Sequence, residues 1–157
     1  AIYAAAAAFA GAEYGTGRAL LLAVHLLTSA AVLGTSLLAM STGHWYLANA
    51  ALSFDILIGL CKAFVLSLVA KAAVVAIYAA ISWRDYAARE DFYLMVIGVR
   101  IGAGIVLAMA LALMSLSCAK RKANQSATGI LYVAVVFVLI GETISIYLTL
   151  GGAKLPV

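Results

Sequence analysis

Four ionisable residues sit where a chain this apolar should carry none: His25, Lys71, Arg100 and Glu142. An ionisable group at membrane depth is costly, and it is usually paired or functional. Arg100 and Glu142 lie in successive hydrophobic spans, 91–118 and 127–150, joined by the short basic turn Lys120-Arg121-Lys122. The two spans therefore form an antiparallel hairpin, and the two charges fall at nearly the same depth. The chemistry open to such a set is ion pairing, proton exchange, and hydrogen bonding to a quinone oxygen or an anionic headgroup. His25 adds the option of an axial ligand for a chlorophyll.

The depths are coherent across the chain. Take the side of Arg18, Arg84 and Lys154 as Y and the side of His44 and Lys120 as X. At the helical rise, His25 lies roughly 10 Å from the Y end, Lys71 roughly 16 Å, Arg100 roughly 14 Å and Glu142 roughly 12 Å. Four spans thus bring an ionisable group to one layer of the Y half, and the layer sums to a single positive charge with His25 neutral. The simplest expectation is an Arg100–Glu142 ion pair, with Lys71 and His25 held by hydroxyls and carbonyls. The alternatives are a polar pocket between helices and a belt whose Lys71 meets an acid on a partner subunit. For an ion pair, removing one partner alone is expected to impair assembly and removing both to restore it in part.

Helical spacing adds detail. Ser29 and Ser36 follow His25 on one face; Ser67, Lys71, Tyr78 and Ser82 share another; Glu142, Ser145 and Thr149 a third. A second candidate site is interfacial. Trp and Tyr favour the headgroup level, so His44, Trp45 and Tyr46 mark a boundary that could take a quinone or lipid. A haem ligated by two histidines of this chain is excluded, because His25 and His44 lie on one helix roughly 28 Å apart. Gly98-Val99-Arg100-Ile101-Gly102 is a GxxxG pattern, which lets a neighbouring helix approach closely; Arg100 then faces roughly the other way.

Cys61 and Cys118 form no CxxC or CxxCH motif, so no zinc, iron–sulfur or covalent haem signature exists. They are expected to be free thiols. No GxSxG, HExxH, P-loop or dinucleotide fingerprint appears. No metal ligands, catalytic residues or self-contained enzyme are expected.

These groups need helices to position them, and composition supplies the class. Of 157 residues, 67% are hydrophobic and 10% charged. Soluble domains carry about 25% charged residues, so this is an integral membrane protein. The net charge of +4 comes with no basic face beyond one tripeptide, which excludes nucleic-acid binding. The expected fold is all-α: one polytopic transmembrane bundle with spans at 19–42, 56–82, 91–118 and 127–150, preceded by a partial helix at 1–11. Residues 48–54 are expected to form a short connection, and Trp83, Arg84 and Tyr86 an interface. Basic residues are nearly balanced between the loops on the two sides, which leaves the orientation open.

The last span with its lead-in, Gln125-Ser126-Ala127-Thr128-Gly129-Ile130-Leu131-Tyr132 through Gly141-Glu142, resembles the closing helix of the DmsC/NrfD-type quinol-interacting anchor subunits. Those hold a Gly-Glu deep in an apolar helix. They carry more spans than this chain, and here the residues after Glu142 are Thr143, Ile144, Ser145 and Ile146. The resemblance implies a membrane anchor exchanging electrons with quinone for a redox partner. Small loops point the same way: a subunit of a hetero-oligomeric respiratory or photosynthetic electron-transfer complex, in a bacterial inner membrane, binding quinone, chlorophyll or lipid. The alternatives are a transporter or proton-relay module using Lys71, Arg100 and Glu142, and a purely structural assembly subunit.

Overall fold

The computed structural model describes residues 16–48, 54–81 and 91–150. Every regular element among them is helical: α1 (Thr16–Ala48), α2 (Phe54–Ile81), α3 (Asp91–Ile101), a π-helical segment (Gly102–Leu107), α4 (Ala108–Lys120) and α5 (Asn124–Leu150). The expected partial helix at 1–11, the connection at 49–53, and Ser82, Trp83, Arg84, Tyr86 and Lys154 lie outside the described residues. Among the described residues, four stretches are long and apolar enough to cross a membrane: Leu20–Leu47, Asp55–Ile81, Leu94–Lys120 and Asn124–Thr149. The chain is a multi-pass, all-α membrane protein.

The spans form an up-down-up-down ring, with α1 against α2 and α5, and α4 against α2 and α5. The outward faces are as apolar as a bilayer requires, with Leu20, Leu27, Leu66, Val106 and Ile146 all exposed. Small and polar residues turn inward instead. On α4, Ala108, Ala112, Ser115 and Ala119 form a buried seam at helical spacing. Without large side chains there, the neighbouring helices can close up, which is how membrane helices gain packing. Phe64, Leu68, Leu131 and Val138 fill the space opposite, and this apolar core occupies the X half. A smaller cluster around Val75, Ile105 and Leu148 closes the Y half.

Most helix boundaries lie within three residues of the sequence expectation, and the end of the first span differs most. The first span does not stop at Thr42; α1 runs on through Gly43, His44, Trp45 and Tyr46 to Ala48. Gly43 lies within the helix and leaves room for Thr128 of α5: a Cβ there would meet Thr128 Oγ1 at 2.8 Å. The last span begins at Asn124 rather than Ala127, since nothing in Asn124-Gln125-Ser126 stops a helix. The turn before it places Lys122 at φ 59°.

The third span is not a uniform helix. Six residues, Gly102–Leu107, adopt the π form. A π turn accommodates one residue more than an α turn and recurs at functional sites. Its effect here is geometric. In unbroken α-helix, eight residues from Arg100 to Ala108 would turn about 80° beyond two full turns. Absorbing one residue brings Arg100 within about 20° of the Ala108–Ala119 seam. The π segment therefore turns Arg100 into the bundle.

The intramembrane charged layer as the candidate functional site

The layer read from the sequence forms, and all four of its residues meet. His25 is 2% exposed, Lys71 1%, Arg100 0% and Glu142 7%. Lys71 Nζ lies 3.3 Å from Glu142 Oε2, and Arg100 Nη2 lies 3.6 Å from Glu142 Oε1. Each carboxylate oxygen thus faces its own cation. The expected division, with Arg100 and Glu142 paired and Lys71 held only by hydroxyls and carbonyls, needs correction: Glu142 is shared. The reason is that α2 and α5 both approach α1, so Lys71 reaches the carboxylate from one side while Arg100 reaches it from the other.

Lys71 has further partners on α1. Its Nζ donates to Ser29 Oγ, and it lies 3.3 Å from His25 Nε2 and 3.4 Å from the His25 carbonyl. That carbonyl also accepts from Thr28 and Ser29 hydroxyls, so a concentrated acceptor faces the ammonium. His25 Nε2 stands 2.9 Å from Ser145 Oγ on α5. Tyr78 meets the imidazole edge-on at a centroid distance of 6.0 Å. The helical faces expected from spacing are realised, with Ser29, Ser36, Ser67, Tyr78 and Ser145 all turned toward neighbouring helices.

The helix packing expected at Gly98 and Gly102 is not made within the chain. Both are exposed, and a Cβ on either would meet nothing within 4 Å. They lie on the face opposite Arg100, so turning the arginine inward turns them out. The close crossing is made instead by Gly104 and Gly141. A Cβ on Gly104 would stand 2.6 Å from Gly141 Cα, and one on Gly141 would stand 2.5 Å from Gly104 Cα. This backbone contact draws the hairpin together beside the charges; a Gly104 Cβ would also lie 3.3 Å from Arg100 Nη1. The signal was present in the sequence, since Gly104 and Gly141 stand at matching distances from the basic turn. We expect Gly141→Val to cost about 1–3 kcal/mol by forcing backbones apart. Gly98→Ala should be neutral or stabilising by up to about 1 kcal/mol. Unfolding midpoints of the purified protein in detergent check both.

The interfacial candidates do not assemble as one site. His44 is exposed and its Nδ1 stands 3.1 Å from Tyr132 Oη on α5. Trp45 is 61% exposed, whereas Tyr46 points inward and is 5% exposed. Successive helical residues diverge by about 100°, so the triplet cannot share a face. A shallow depression lined by Ser41, Thr42, Trp45, Tyr46 and Ile56 lies here, without His44. His25 and His44 stay apart on α1. Cys61 and Cys118 are both free, and Ser115 donates to the Cys61 sulfur at 3.9 Å. Among the described residues no three His, Cys, Asp or Glu side chains gather as a metal site.

A second feature escaped the sequence reading. Between α3 and α5, at the level of the charged layer, a groove is lined by Met95, Val96, Val99, Thr143, Ile144 and Tyr147. It combines residues from two helices on their outward sides, so no single helical face announces it.

Fold and layer define the class: a multi-pass helical membrane protein whose described residues form four spans and whose interior brings together two cations, one carboxylate and an imidazole. The chain matches no family model, no curated protein and no solved structure.

Proposed function

We propose that this protein is an integral membrane subunit of a larger respiratory or photosynthetic electron-transfer complex, and that a quinone is the guest of its α3–α5 groove. The observation that carries the reading is the position of that groove: its apolar walls lie at the depth where Arg100 and Glu142 meet behind them. Apolar walls with a few polar groups close by are what a small lipid-soluble ring requires. Quinone reduction takes up protons, and proton-bearing groups beside the ring serve that need. The described helices fill their spans and leave only short connections between them. In this reading electrons come from partner subunits in the same energy-transducing membrane, the inner membrane in a bacterium. The resemblance around Gly141-Glu142 supports the same reading.

A photoreactive quinone analogue tests it. Label is expected on 95–99 and 143–147, displaced by excess unlabelled quinone. Label spread evenly over the lipid-facing residues would count against the reading, as would purification of the chain free of redox subunits. A second reading has one observation in its favour. The four charged-layer side chains are each more than nine-tenths buried and contact one another, as expected of a structural subunit whose polar layer only sets helix register.

A further inference from the structure

The layer holds two cations against one carboxylate, all within the bundle. Its members differ in what they can give up. Arginine stays protonated in proteins, and Glu142 stands between both cations. Lysine, by contrast, can release its proton when buried. Lys71 also faces an acceptor: its ammonium can only donate, so His25 Nε2, at 3.3 Å, receives. The ring proton then sits on Nδ1. Ser145 Oγ, 2.9 Å from Nε2, suits either ring state, because a hydroxyl can donate to a bare nitrogen or accept from a protonated one.

We propose that Lys71 and His25 share one exchangeable proton between Nζ and Nε2, with Arg100 and Glu142 as the fixed pair beside them. In the transfer the Nζ–H bond breaks and the Nε2–H bond forms, giving an amine and an imidazolium. When the proton leaves the pair it ends on water, and the layer passes from one net positive charge to none. The groups facing Lys71 are His25 and Ser29 from α1, Glu142 and Ser145 from α5, Arg100 from α3, and Tyr78 on its own helix. Among the described residues of the layer, only Lys71 and His25 set a donor nitrogen against an acceptor nitrogen. The proposal does not depend on the occupant of the groove.

Nitrogen-15 solid-state NMR of the full chain in lipid nanodiscs, without quinone, tests it. As pH is raised, the Lys71 Nζ and His25 Nε2 signals are expected to move together with one common midpoint. Lys71→Arg keeps a cation for Glu142 but cannot surrender its proton; there the His25 signal should stay in one form over the same range. Separate midpoints in the wild-type chain would overturn the proposal. So would an ammonium and a neutral imidazole that persist throughout, or a His25 signal that Lys71→Arg leaves unchanged.

Discussion

Glu142→Leu is expected to disrupt the bundle more than removal of either cation. The carboxylate is the shared counter-charge of Lys71 and Arg100, so its loss leaves two buried cations at once. Breaking one buried pair from a single side costs about 3–5 kcal/mol, a large part of the roughly 5–15 kcal/mol that holds a typical fold. Arg100→Leu is expected to be milder, because Lys71 still neutralises Glu142. The double change Arg100→Leu with Glu142→Leu should recover only part of the loss, since Lys71 keeps Ser29 and His25 but no anion. Adding Lys71→Leu should recover more, because an apolar layer of similar volume is often no less stable than a buried ionic one. Thermal unfolding of the four variants in one detergent gives the order. A double variant as stable as the wild type would show that Lys71 does not depend on the carboxylate.

Insertion of one alanine after Val106 carries the second large effect. Val106 lies in the π segment and is 62% exposed, so a small residue added beside it displaces little packing. A π turn is an α turn holding one residue more, so deleting a residue would let it close into α-helix with Arg100 still in register, whereas a further added residue has no such turn to absorb it. Arg100 and everything before it would then rotate by about 100° relative to α4, taking the guanidinium out of reach of Glu142. The expected loss matches that of a broken buried pair, about 3–5 kcal/mol. Val106→Ala, which keeps the residue count, should change little. Unfolding midpoints separate the two variants, and a cysteine placed at Gly98 reports the rotation through its labelling by a lipid-soluble reagent. An insertion variant with wild-type stability and wild-type labelling would contradict the aiming role of the π segment.

Much of this was legible in the sequence, and the reason is the bilayer. Lipid allows few backbone solutions, so long apolar runs become spanning helices. In so apolar a chain, an ionisable residue stands out and its depth follows from counting. His25, Lys71, Arg100 and Glu142 were placed in one layer on that arithmetic, and they meet there. Counting depth does not give rotation about a helix axis. Rotation decided that Glu142 serves two cations, that Lys71 lies against His25, and that Gly98 and Gly102 face outward while Gly104 meets Gly141. The π segment sets that rotation for Arg100, and it depends on backbone hydrogen bonds that no residue pattern in Gly102–Leu107 spells out. Depth is a one-dimensional property that the order of residues carries by itself; the azimuth of each helix is settled only when four helices pack against one another.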